Sequence, residues 1–212
     1  AGAFSPNHFN LEHAPKNISA GGDNFITTTS QEVYVFTKGS TNPVATHKFG
    51  GNLEALCGAI SPEGNEISIG FKDKKVRTFA FDGSSLTDSG KVSDTFEHEP
   101  ISIVYSSTHM AVGLQTKFIK LFDRSSWAVI APERFCFHNS RVDTVAFSPS
   151  GRYLASGGLD QNIIIWDTTP EKANRYKLKK EAFTHRDGVL SISWIDEDQL
   201  YSAGNDGAIK KW

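Results

Sequence analysis

The sequence predicts an all-β fold made of about five repeated units of four short strands, and three observations lead there. Turn formers are abundant, with 18 Gly and 8 Pro against a single Met, the reverse of what long helices favour. Two segments near the C-terminus, His138 to Asp167 and His185 to Trp212, superpose almost position by position. Aromatic residues that close each unit recur at Phe36, Phe79, Phe122, Trp166 and Trp212, a step of about 43 to 46 residues. Short strands repeating at that interval are those of a β-propeller blade, in which four antiparallel strands form one sheet packed face to face on its neighbours. Helical repeats of similar length need a 3.6-residue periodicity, and none is visible.

Along the chain the repeats fall at about 8–37, 38–82, 83–124, 125–168 and 169–212, together forming one partial propeller over residues 1–212. Each reads as the outer strand of one blade followed by three inner strands of the next. His8 to Leu11 reads as an outer strand, and the first repeat closes with Ser30 to Phe36. The second contains the turn Ser61-Pro62-Glu63-Gly64 and closes with Asp73 to Phe79; the third closes with Thr116 to Phe122, with Asp123 after it. In the fourth, Val142 to Phe147 has apolar residues on both faces, as a sheet sandwiched between sheets requires. Ser148-Pro149-Ser150-Gly151 then turns the chain, Pro fixing φ near −65° and Gly free to take positive φ. Tyr153 to Ser156 is the second strand, Gly157 to Gln161 a tight turn, and Asn162 to Asp167 the third strand. The Lys-rich Arg175 to Phe183 is an exposed outer strand whose charges discourage edge pairing. Trp212 ends the chain on a third strand, so the last outer strand must come from elsewhere. His8 to Leu11 supplies it if five blades close a ring; otherwise the array is an open arc with two apolar faces, and the chain alone should be poorly soluble.

With 22 basic and 24 acidic residues there is no overall electrostatic drive toward nucleic acid or anionic membrane. No apolar run approaches the roughly 18 to 20 residues that span a bilayer, so a soluble protein is expected. Cys57 and Cys136 have neither the density of a disulfide scaffold nor the paired spacing of a zinc site, which points to a reducing, cytosolic setting. The start at Ala1, with no initiator Met or signal segment, suggests excision from something longer.

The two strongest repeats share His138, Ser156, Asp160 and Trp166, matched by His185, Ser202, Asp206 and Trp212. A Ser, His and Asp in recurring order suggest a nucleophilic triad, but catalysis needs one special copy in a cleft, whereas identical spacing in successive repeats is what a structural role requires. These four residue types resemble the tetrad of WD-repeat propellers. The resemblance implies a hydrogen-bond chain from indole to hydroxyl to imidazole to carboxylate that locks each blade. Asp73 and Ser68 are present in the second repeat with Phe79 for Trp, while the blades closing at Phe36 and Phe122 lack the Ser and Asp. All three of these departing blades are expected to hold by packing alone.

Phrase by phrase the chain also resembles the C-terminal propeller of the actin-interacting protein 1 family of WD-repeat proteins. The residues are Ala14-Pro15-Lys16-Asn17-Ile18, Pro62-Glu63-Gly64 with Ile69-Gly70, Arg77 with Phe79, Lys91 to Phe96, and Pro100-Ile101-Ser102. Ser156-Gly157-Gly158-Leu159-Asp160, Trp194-Ile195-Asp196-Glu197, Ser202-Ala203-Gly204-Asn205-Asp206 and Ile209-Lys210-Lys211-Trp212 continue it. The likeness implies five blades of a seven-bladed propeller. It further implies a cytoplasmic, non-catalytic protein of the actin cytoskeleton that promotes disassembly of cofilin-decorated actin filaments, with actin filaments and cofilin as partners and no cofactor. A generic WD-repeat scaffold or substrate receptor in another complex is the alternative. A propeller hydrolase is the third class and would need pocket carboxylates with perturbed pKa values, of which the sequence gives no sign.

Propellers bind partners on the end made by the loops before the first strand and after the second. There Lys72, Lys74, Lys117, Arg141 and Arg186 can share one face and offer a positive rim to an acidic surface, although solvated turn charges give the same pattern. Lys177, Lys179 and Lys180 lack the interleaved aromatic residues of a nucleic-acid site and read as a solvated edge. His8, His13, His47, His98 and His109 have no partner at metal-ligand spacing, and Glu97 and Glu99 flanking His98 are weak evidence for an acid/base pair.

Overall fold

The computed structural model describes residues 9–131, 133–169 and 177–212. Its strands form five antiparallel sheets in chain order. The first holds β1 (Asn17–Gly21), β2 (Asn24–Thr28), β3 (Glu32–Thr37) and β4 (Ala45–Lys48). The second holds β5 (Ala55–Ile60), β6 (Glu66–Phe71), β7 (Val76–Phe81) and β8 (Leu86–Val92). The third holds β9 (Pro100–Tyr105), β10 (His109–Leu114), β11 (Ile119–Asp123) and the two-residue β12 (Val129–Ile130). β13 (Val142–Phe147), β14 (Tyr153–Gly158), β15 (Ile163–Asp167) and β16 (Lys177–Glu181) make the fourth, and β17 (Val189–Trp194), β18 (Leu200–Gly204) and β19 (Ile209–Lys211) the fifth. The expected edge Arg175 to Phe183 is β16; Arg175 and Tyr176 lie outside the described residues. Among the described residues no helix is long and apolar enough to cross a membrane.

Packing runs from each sheet to the next, β1 on β5, β5 on β9, β9 on β13 and β13 on β17. Four apolar layers result. Ile26, Val33 and Val35 meet Ile67, Ile69 and Phe79 in the first, and Cys57, Ala59 and Val76 meet Ile103, Met110 and Phe122 in the second. Ala111, Ile119 and Leu121 meet Leu154, Ile164 and Trp166 in the third, and Ala155 and Ile163 meet Val189, Ile192 and Leu200 in the fourth. A sheet between two such layers must be apolar on both faces, and β10 is buried at every residue. The sheets approach closely where a side chain is missing: a Cβ on Gly157 would lie 2.5 Å from Val189 Cγ1.

The two Ser-Pro turns behave alike. Gly64 and Gly151 both take φ of 77° and donate their N–H to the carbonyls of Ser61 and Ser148, at 2.9 and 2.8 Å. Both turns also reach across a blade boundary, Gly64 O accepting from Asn24 Nδ2 at 3.0 Å and Ser150 N donating to Glu197 at 2.6 Å.

The expected outer strand His8 to Leu11 is not formed over its described part. Residues 9–11 carry no strand, His8 lies outside the described residues, and Phe9 folds onto the outward face of the first blade, 5.9 Å from the rings of both Tyr34 and Phe36. No fourth strand pairs with β19 among the described residues. Ile18 on β1 is 73% exposed and Ile209 on β19 is 76% exposed, the apolar ends of an unclosed row of blades.

Candidate functional site

In the fourth blade Trp166 Nε1 donates to Ser156 Oγ at 2.8 Å, Ser156 Oγ lies 2.7 Å from His138 Nε2, and His138 Nδ1 lies 2.9 Å from Asp160 Oδ1. The fifth repeats it: Trp212 to Ser202 at 2.8 Å, Ser202 to His185 at 2.7 Å, His185 to Asp206 at 2.8 Å. With Nδ1–H turned to the carboxylate, Nε2 is left to accept from the Ser hydroxyl, so each atom has one role. The carboxylates also fasten the loop before the first strand, since Asn139 N donates to Asp160 and Arg186 N to Asp206. Burial pushes the Asp160 carboxyl up, but His138 and the amide of Asn139 outweigh it and hold the pKa at about 2. Asp206, held by the Arg186 amide and by His185, also sits at about 2. Ser156 and Ser202 are buried, each accepting from the closing indole and donating to the imidazole, and their burial keeps a substrate from reaching either hydroxyl.

Strand pairing corrects the reading of the second blade. Ser156 pairs with Ile164 and Ser202 with Lys210, each two residues before the closing Trp and on its face of the sheet. Ser68 pairs with Thr78, one residue before Phe79, and so points to the opposite face. Ile69 takes the hydroxyl's place, while Ser68 bonds Thr78 Oγ1 at 2.7 Å and Tyr105 Oη of the next blade at 2.6 Å. The sequence held the signal: Ser to Asp is four residues in the true tetrads and five from Ser68 to Asp73.

Packing alone does not hold the departing blades either. Arg124 of the third blade reaches Glu63 of the second at 2.8 Å and the carbonyls of Ser106 and Ser107, and it lies over the Tyr105 ring. In the first blade Tyr34 donates to Glu32, which pairs with Lys48 at 2.9 Å. The third blade does use rings, Phe122 lying between Phe96 and Trp127.

The five basic residues Lys72, Lys74, Lys117, Arg141 and Arg186 are exposed at the end that carries the tight turns. Backbone bonds join the turns of each blade to the loop before the next blade there, as in Ala55 N to Ser30 O, Phe96 N to Lys74 O, Val142 N to Thr116 O and Thr184 N to Gln161 O. The rim is one of mixed charge. Lys72 pairs with Glu54 at 3.0 Å and Arg141 with Asp143 at 2.7 Å, Lys74 Nζ donates to the Glu97 carbonyl, and Lys117 lies over the Phe118 ring. The lysines of β16 are engaged at their own edge, Lys177 over the Phe137 ring and Lys179 with Glu181.

Both cysteines are free, and burial pushes the Cys57 thiol up to about 12, far from a reactive thiolate. Glu97 is paired with Lys120. One grouping escapes motif spacing: Glu12, His13 and Glu32 come together from the entering segment and the start of β3, their ligand atoms within 4.8 Å of one another.

Comparison with known proteins agrees with this geometry. The family described as WD domain, G-beta repeat, matches residues 133–167 and 177–212, the two blades that hold the tetrads. The 66 kDa stress protein of Physarum polycephalum is 29% identical over 157 residues, 72% of this chain and 25% of that protein. WD repeat-containing protein 1 of Gallus gallus is 26% identical over 95% of this chain and 32% of its own length, and actin-interacting protein 1 of Caenorhabditis elegans 23% over 92% and 31%. The chain thus spans about a third or less of the length of these relatives. Among solved structures, a chain of the mitotic checkpoint complex matches with a TM-score of 0.76 at 16% identity, over all of this chain and 70% of that one, which speaks to the fold.

Proposed function

We propose that this chain, a WD-repeat propeller resembling actin-interacting protein 1, is part of a non-catalytic cytoplasmic protein of the actin cytoskeleton that promotes disassembly of cofilin-decorated actin filaments. The observation that carries the reading is the likeness to actin-interacting protein 1 along nearly the whole chain, well beyond the two blades with WD tetrads. The tetrads support it indirectly. Their Ser, His and Asp groups are spent on holding blades, which leaves binding as the means of action.

In this reading the tight-turn end docks on a filament whose shape cofilin has altered, and tighter binding to the severed than to the intact state drives disassembly without bond chemistry. Lys72, Lys74, Lys117, Arg141 and Arg186 are the proposed contacts. The surface is of mixed charge, so it selects a partner by pattern and not by bulk attraction. Nucleic acid and membrane have no part in this reading. The test is microscopy of fluorescent actin filaments decorated with cofilin. The longer parent protein should shorten them, and Lys117→Glu with Arg186→Glu should slow shortening while leaving the unfolding midpoint unchanged. Shortening at the parental rate by that variant would remove the rim from the account, and no shortening by the parent would leave a WD-repeat scaffold for another complex.

A further inference from the structure

Glu32 opens β3 at the tight-turn end and is only 2% exposed, a buried carboxylate that receives the Tyr34 hydroxyl and the Lys48 ammonium. Glu12 reaches the same ammonium at 3.6 Å. Between them lies His13, whose Nδ1 is buried and takes no hydrogen-bond partner. A buried imidazole nitrogen without a partner beside two carboxylates is an unfilled bonding direction in a strongly negative setting. Lys48 reaches both carboxylates from a side chain 70% exposed, and it leaves His13 Nδ1 without a partner.

We propose that Glu12, His13 and Glu32 form a binding site for a divalent transition-metal ion of the Zn²⁺ class, which exchanges with the Lys48 ammonium. One imidazole nitrogen and two carboxylate oxygens are a donor set that Zn²⁺ accepts, with a fourth position for water. Metal bonds of about 2.0 to 2.2 Å place tetrahedral ligand atoms roughly 3.4 Å apart. The present separations, within 4.8 Å, must therefore close by a little over 1 Å. Glu12 is the mobile partner for that closure, with its side chain 67% exposed on a segment that carries no strand, while Glu32 is fixed by β3. The metal would fasten the entering segment, including Phe9, to the outward face of the first blade.

The test is calorimetric titration of the 212-residue chain with Zn²⁺ at neutral pH, repeated with Co²⁺ while its visible absorption is followed. One equivalent should bind with a tetrahedral Co²⁺ spectrum, His13→Ala should weaken binding by more than about tenfold, and Lys48→Met should tighten it by removing the competing cation. The Lys48 variant separates this site from scattered surface histidines, which it would not affect, and both variants spare the buried Glu32. Absence of a bound equivalent, affinity unchanged in His13→Ala, or weaker binding in Lys48→Met would each overturn the proposal.

Discussion

A Ser hydroxyl that accepts from an indole and donates to an imidazole ties two side chains together, and its loss leaves both without that partner. Ser156→Ala should therefore lower unfolding free energy by about 1 to 3 kcal/mol in urea melts followed by tryptophan fluorescence, and Ser202→Ala should act in the same direction. The carboxylates at the far end of each chain set a pH dependence. Asp160 and Asp206 titrate near 2 in the fold against an ordinary value of 3.8. Their stabilisation is complete above 3.8 and is lost as pH falls toward 2. The urea midpoint should drop across that window in the native chain, and less steeply in a double Asp160→Asn, Asp206→Asn variant, since other carboxylates held below their ordinary range, such as Asp82 and Asp123, still titrate there; equal slopes would contradict the linkage. At this scale the tetrads were legible, because four residue types recur at fixed spacing. Ser68 was misread because one residue more before Asp73 turns a side chain to the other face, and residue type alone does not carry face. Glu12, His13 and Glu32 were illegible because two of them lie on a segment with no periodic pattern.

Strands here are set by what lies on both of their faces. Gly157 on β14 faces Val189 on β17, so Gly157→Val should wedge the fourth and fifth blades apart at a cost of about 1 to 3 kcal/mol. Thermal melts check this, and an unchanged midpoint would mean that the seam yields. Strand order and the Ser-Pro turns could be read from sequence, since turn residues and aromatic closures mark them locally. The clamps that replace the tetrads could not. Arg124 with Glu63 and Ser68 with Tyr105 join residues far apart in the chain, and each partner alone is an ordinary surface or strand residue.

The molecule as a whole is a row of blades with an apolar face at each end. Inner layers pair the later face of one blade with the earlier face of the next, and the terminal faces with Ile18 and Ile209 are of the same two kinds. Copies of the isolated chain should therefore associate head to tail, a contact that need not close. Sedimentation velocity should show larger species with rising concentration, reduced by Ile18→Lys or Ile209→Lys; a monomer at all concentrations would contradict it. Among the described residues the last blade has three strands and none pairs with β19, which leaves the row open. Over its described part, residues 9–11, the segment expected to close the ring forms no strand, and Phe9 turns back onto its own blade. The proposed function belongs to this scale too, since the docking proposed above would use turns from several blades at once. The most direct measurement is co-sedimentation of the chain with actin filaments, bare and cofilin-decorated. The account predicts that the chain pellets with decorated filaments in excess of bare ones, and equal absence from both pellets would contradict it.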